Sequence, residues 1–254
     1  MYTKVPIYKK IYKKSVYTFS KIFFSPIDKI FNTTLKANFR IKSLKLHRQN
    51  YKILENKVYF IHVPKTGGTT FHYMLQKNLK DKLFNFNFPY NYDFNTHNPV
   101  PKKINFEGTN FVTIIRNPIH RVYSYYTDAL NNKKVSYNHL ATKGLEIFCK
   151  NCWEANNMYV RYFSGDLDLN SNSFLDKSKE NILKFKDVLI FENLNNEINY
   201  YIKKYKFNKN WSIKNVKNYN FPSINDLKII EKYNTYDVEF YKFLINSKNH
   251  GRGM

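Results

Sequence analysis

The segment Pro64-Lys65-Thr66-Gly67-Gly68-Thr69-Thr70 gathers two glycines, three hydroxyls and an ammonium group into one short stretch of chain. Glycine lets backbone N–H groups approach a ligand closely, and a helix beginning just behind them adds the positive end of its dipole. Thr66, Thr69 and Thr70 offer hydroxyl donors and Lys65 a charge, so the segment reads as a cradle for phosphate or sulfate. It is not a Walker A loop, because the lysine precedes the glycines and no Gly-Lys-Ser/Thr closes it. The plainer alternative is a glycine turn capped by threonine. A second polar cluster is Arg116-Asn117-Pro118-Ile119-His120-Arg121-Val122-Tyr123-Ser124. Arg116 and Ser124 could hold a second anion, the arginine through a charge-assisted fork. Arginine at the end of a strand is also often structural.

Positioning these groups requires strands that end where they begin. Val58-Tyr59-Phe60-Ile61-His62-Val63 is a run of β-formers stopped by Pro64. Phe71, Met74, Leu75 and Leu79 then fall on one face of a helix expected over 69–81, capped by Thr69 or Gly68. A buried strand is expected over 111–115, with Pro118 in the first turn of the next helix. A third strand is expected over 188–191, followed by a helix near 195–204. Residues 139–163, 176–186 and 224–246 read as mostly helical. Strands alternating with helices predict an α/β fold with a parallel sheet flanked by helices, and such sheets bind ligands beyond the carboxyl ends of their strands.

The chain has 254 residues, enough for one sizeable core or a core with an appendage. It carries 42 Lys+Arg against 19 Asp+Glu, a formal net charge of +23. At 43% hydrophobic and 18% aromatic it is too apolar for a disordered polyelectrolyte. The basic excess has two readings: attraction to a polyanion or anionic membrane, or a compositional bias towards lysine, asparagine, tyrosine, phenylalanine and isoleucine. Two cysteines, Cys149 and Cys152, exclude a disulfide scaffold and lack the second ligand pair of a zinc site. Two reduced, partly buried thiols are expected. Residues 1–50 form a separate basic extension before a domain spanning 51–254. Tyr8, Ile11, Tyr12, Val16, Phe19, Ile22 and Phe23 recur there at helical spacing between lysines. That predicts a basic, mostly helical segment, lying on an anionic membrane or packed on the main domain. No apolar run reaches transmembrane length and no secretory signal is evident. A cytoplasmic protein, peripheral to membrane at most, is expected.

Together the two anion segments resemble the sulfotransferase superfamily. The match is closer to the membrane-type carbohydrate sulfotransferases, in particular the group containing heparan sulfate 2-O-sulfotransferase. Phe60-Ile61-His62-Val63-Pro64-Lys65-Thr66-Gly67-Gly68-Thr69 is similar to that group's opening motif, and Arg116 with Ser124 looks like its 3′-phosphate site. Weaker similarity continues at 157–165, 188–192 and 234–243, the last including Asp237 and Tyr241. The resemblance covers roughly residues 57–245. It implies a P-loop-kinase-like sheet and 3′-phosphoadenosine 5′-phosphosulfate (PAPS) as donor. It further implies Lys65 on the transferring sulfuryl and its bridging oxygen, with Gly67, Gly68, Thr69 and Thr70 at the 5′ end. The chain departs from the group in showing no N-terminal membrane anchor and no disulfide framework.

Sulfuryl transfer to a hydroxyl needs a base, a stabilised leaving phosphate and alignment. Lysine and backbone donors can carry the leaving-group charge, so no metal is required. Of seven histidines, His62 and His72 read as structural, His120 as a surface residue, and His47 and His250 as tail residues; His139 is the seventh. His97, in Asn95-Thr96-His97-Asn98-Pro99-Val100, lies between the two anion segments, where the resemblance places a catalytic histidine. His97 is therefore the expected base, with Glu107 and Asp93 as competing carboxylates. The acceptor class implied is a carbohydrate, a polysaccharide or glycolipid, and no nucleic-acid partner is expected. Two other readings stay open: a non-catalytic polyanion- or membrane-binding protein on a degenerate sulfotransferase scaffold, and a P-loop kinase, disfavoured by the missing Walker lysine.

Overall fold

The computed structural model describes residues 58–79, 99–100, 106, 109–133, 137–208 and 221–250. Residues 1–50, expected to form the basic extension, lie outside the described residues, as do His97, Asp93 and Glu107. Three strands, β1 (Val58–Ile61), β2 (Asn110–Ile115) and β3 (Asp187–Ile190), form a parallel sheet in the order β1-β2-β3. Val58 pairs with Asn110 and Ile61 with Thr113, while Val112 pairs with Asp187 and Ile115 with Ile190. The helices among the described residues are α1 (Gly68–Leu79), α2 (Pro118–Asn131), α3 (Asn138–Ala141), α4 (Leu145–Asn151), α5 (Met158–Ser164), α6 (Phe174–Leu183), α7 (Leu194–Tyr205), α8 (Ile224–Tyr233) and α9 (Thr235–His250).

Parallel sheets are buried on both faces, and the strand residues sort accordingly. Phe60, Val112, Ile114 and Leu189 pack against Phe71, Met74 and Leu75 of α1 and Ile198, Tyr201 and Ile202 of α7. Tyr59, Ile61, Phe111, Ile115, Val188 and Ile190 face Met158 to Phe163 of α5, Ile182 of α6 and Phe240 and Leu244 of α9. The result is a sheet between two helical layers, as the alternation of strands and helices predicts. A further apolar cluster lies around α2, where Val122, Tyr125 and Ala129 meet Leu145, Phe148 and Cys149 of α4 and Ile230 of α8. Helix α2 therefore turns one side to that cluster. Arg121, Ser124 and Asp128, at spacings of three and four, share another side.

One expectation needs correction. The first strand stops at Ile61, two residues short of Val63, and the His62 ring packs against Gly68 at the start of the first helix. The stretch 139–163 is mostly helical, as expected, divided into three helices and a 3-10 turn, Trp153–Ala155. It is broken at Gly144 (φ 105°), at extended Cys152 and at Asn157 (φ 47°), and α5 closes on Gly165 in the left-handed conformation. Cys149 and Cys152 are free thiols and fully buried, more so than expected. Among the described residues, no helix is long and apolar enough to cross a membrane.

Candidate functional site

The carboxyl ends of all three strands meet at one place. Beyond β1 the chain makes the turn Pro64–Gly67 and enters α1 at Gly68. Lys65 (φ 68°) and Gly67 (φ 77°) both adopt the left-handed conformation. Glycine tolerates it freely and lysine does not, so Lys65 is held there by its surroundings. Gly67 also has no room for a side chain: a Cβ would stand 2.9 Å from the Phe191 ring. At Gly68 a Cβ would stand 2.1 Å from His62, whose ring is packed directly under the start of the helix. Both glycines are thus demanded by close packing. The first turn of α1 then presents amides that the helix cannot satisfy itself. Thr66 is fully buried and its hydroxyl donates to the Val63 carbonyl at 2.8 Å, which knits the turn from within. Thr69 is half-buried, and Thr70 is buried on the first turn.

Arg116 follows the last residue of β2 and crosses to this loop. Its Nη1 donates to the Lys65 carbonyl at 3.2 Å, and its guanidinium carbon lies 4.4 Å from the centre of the Phe191 ring. Phe191 directly follows β3, so its ring stands between Gly67 and Arg116 and joins the ends of the three strands. Asn117 caps α2, its Oδ1 accepting from the amides of Ile119 and His120. With Pro118 in the first turn, α2 leaves the sheet carrying Ser124, which is buried. Lys65, the glycines, Arg116 and Ser124 therefore lie on consecutive pieces of one strand-end region, Lys65 and Arg116 in direct contact.

A second set of residues fixes Arg116. The Tyr159 hydroxyl, on α5, accepts the Arg116 N–H at 3.0 Å and donates to the Arg116 carbonyl at 2.6 Å. Burial pushes the Tyr159 phenol well above its ordinary range, so it stays a protonated donor. Tyr159 and Val160 donate their own amides to the Asp237 carboxylate, each at 3.0 Å. Asp237 is buried 3.9 Å from the Arg121 guanidinium. Burial raises the Asp237 carboxyl, against the pull of Arg121 and the two amides. Glu192 accepts the Asn117 amide at 2.7 Å and the Tyr241 hydroxyl at 3.2 Å.

The sequence reading did not single out Tyr159, Phe191, Glu192 or Asp128. Three of them lie in or next to elements that it did single out, Tyr159 in 157–165 and Phe191 and Glu192 in 188–192. Asp128 is different. It lies on α2, one turn beyond Ser124, and its Oδ2 is 3.0 Å from the Lys65 ammonium.

The remaining described histidines stand apart from this chemistry. His72 is buried on α1, where desolvation lowers its pKa. His120 is half-buried on α2, near Phe221, and His139 is half-buried on α3. The expected base, His97, has no described geometry. Its chain re-enters the described structure at Pro99, and the Val100 amide donates to the Tyr162 carbonyl of α5 at 2.8 Å.

In comparisons with known proteins, no family model and no curated protein matches this chain.

Proposed function

We propose that this chain is a PAPS-dependent sulfotransferase acting on a hydroxyl of a carbohydrate, a polysaccharide or glycolipid. The observation that carries the reading is the contact between the two anion segments: the Arg116 guanidinium donates to the Lys65 carbonyl at the ends of neighbouring parallel strands. A donor with a 5′-phosphosulfate and a 3′-phosphate needs two anion sites a ribose apart, and this region offers two sets of donors side by side. The first comprises Lys65, Gly67, Gly68, Thr69 and Thr70, with Thr66 stabilising the turn. The second comprises Arg116 and Ser124. The P-loop-kinase-like character of the sheet is part of the same proposal.

In the proposed reaction the acceptor oxygen attacks sulfur as the bond between sulfur and the bridging phosphate oxygen breaks. The acceptor proton passes to a base, His97, and adenosine 3′,5′-bisphosphate (PAP) departs with the electron pair of the broken bond. Lys65 and the amides of the α1 first turn stabilise the charge growing on the bridging oxygen and the 5′-phosphate. No step calls for a metal ion. Residues 1–50 supply the proposed contact with an anionic membrane, from the cytoplasmic side.

Calorimetry with PAP tests the donor site, and ³⁵S transfer from PAPS to a panel of glycans tests the activity. Micromolar PAP binding with transfer that Lys65→Ala abolishes is the expected result. Binding of PAP without transfer to any glycan would favour the non-catalytic polyanion-binding reading. Preference for ATP over PAP would favour the kinase reading.

A further inference from the structure

Two residues at this site break local rules, and they meet. Lys65 holds a left-handed backbone that lysine disfavours. Asp128 places a carboxylate in the last turn of α2, where the helix dipole is unfavourable to negative charge and the turn itself carries no basic residue. Locally unfavourable choices that coincide in space mark sites where something other than stability is being specified. The two charges are 3.0 Å apart, with side chains 21% and 18% exposed, on segments that follow different strands of the sheet. Both side chains are partly buried, and the carboxylate engages the ammonium directly.

We propose that Asp128 is a positioning residue that acts through Lys65. Its carboxylate occupies the ammonium group while the loop is empty, and an anion arriving at the loop must take Lys65 from it. The proposal rests on Lys65 being the cation that meets the donor's phosphosulfate. The geometry gives it direction. Lys65 is held at both ends, by Arg116 at its carbonyl and by Asp128 at its ammonium, so the lysine is pre-placed beside the loop without being wholly available. Ser124 and Asp128 are one turn apart on the same face of α2, so the carboxylate lies beside the region proposed to hold anions. By engaging Lys65, the carboxylate opposes anion binding at the loop. The consequence is a site whose affinity for donor and product is held down, which favours release of PAP after transfer.

The test is calorimetry with PAP and, separately, inorganic pyrophosphate. The proteins are the full chain, Asp128→Asn, Asp128→Glu, Lys65→Ala and the Lys65→Ala/Asp128→Asn double variant. Asp128→Asn should bind both anions on the order of tenfold more tightly, Asp128→Glu should resemble the parent, and the gain should vanish in the Lys65→Ala background. A merely structural pair predicts the opposite sign, since its loss loosens the loop. Equal or weaker binding by Asp128→Asn would overturn the proposal while leaving the donor assignment intact, provided the parent binds PAP. A gain that persists without Lys65 would overturn it too, by showing direct repulsion alone. A parent that binds pyrophosphate but not PAP, with the Asp128→Asn gain retained, would support the Asp128 role and overturn the donor assignment. No binding of either anion by any of the proteins would overturn both.

Discussion

The Tyr159 hydroxyl holds both the amide and the carbonyl of Arg116, at 3.0 and 2.6 Å, and so fixes the residue that links β2 to the Lys65 loop. Tyr159→Phe keeps the ring in the core and removes only this clamp. Leaving partly buried backbone groups without a partner costs about 1–3 kcal/mol. The expected outcome is a fall in stability of that order by urea denaturation, with weaker PAP binding although Tyr159 need not touch the ligand. Arg116→Lys should weaken PAP binding as well, because an ammonium cannot both lie flat on Phe191 and reach the Lys65 carbonyl. PAP affinity unchanged in Tyr159→Phe would show that Arg116 is placed by Phe191 and Lys65 alone.

Gly68→Ala tests the packing beneath the loop. A methyl group there would meet the His62 ring at 2.1 Å, so the ring or the start of α1 must move. Overpacking of this kind costs about 1–3 kcal/mol. Thermal denaturation should show a lower Tm for Gly68→Ala. In a His62→Ala background, where the ring is absent, the same substitution should cost much less. Additive effects of the two substitutions would show that His62 is not what requires glycine at this position.

The sheet was legible because its signals are local. Apolar β-formers in Tyr59-Phe60-Ile61 and Phe111-Val112-Thr113-Ile114-Ile115 alternate between two faces, and both faces found helices with apolar stripes. Pro118 at the start of α2 was readable for the same reason. What stayed hidden depends on contacts between distant segments. Nothing in the sequence near Gly68 says that His62 folds back under it. Nothing near Asp128 announces Lys65, from which it is separated by the whole of β2. Nor did helical periodicity over 139–163 expose the breaks at Cys152 and Asn157, since only the first break falls on a glycine. Asn157 adopts its left-handed backbone while its Oδ1 accepts from the amides of Tyr236 and Asp237 and its own amide donates to Asn234, contacts made only once the chain has returned as α9.

The cysteines give a prediction independent of function. Burial pushes the Cys149 thiol up to about 12, and that of Cys152 well above its ordinary value. The thiolate is the reactive form. At pH 8 a thiol with that pKa is ionised to only about one part in ten thousand. Ellman's reagent should therefore label the native chain very slowly at pH 8, and raising the pH by one unit should speed labelling about tenfold while the fold persists. Unfolding in guanidinium should expose both thiols at once. Fast native labelling would contradict the burial of α4 against α2. Absence of labelling after unfolding, restored by a reductant, would show a disulfide where the structure has two free thiols.

His97→Ala tests the proposed base. His97 lies three residues before Val100, whose amide is fixed to the Tyr162 carbonyl of α5. The same helix supplies Tyr159 to Arg116, so this part of the chain is tethered to the element that also fixes the second anion segment. A general base contributes about a hundredfold to ten-thousandfold. His97→Ala should lower kcat for sulfate transfer by that order while PAP affinity stays within a few-fold of the parent. Neutral imidazole is the form that accepts the acceptor proton, so activity should rise with pH through the histidine range in the parent, and the variant should lose that acidic limb. His120→Ala and His139→Ala, on α2 and α3, should leave both quantities nearly unchanged. A drop in PAP affinity equal to the drop in rate would make His97 a donor-binding residue. Full activity in His97→Ala would pass the base to Glu107 or Asp93, each testable by its amide variant in the same assay.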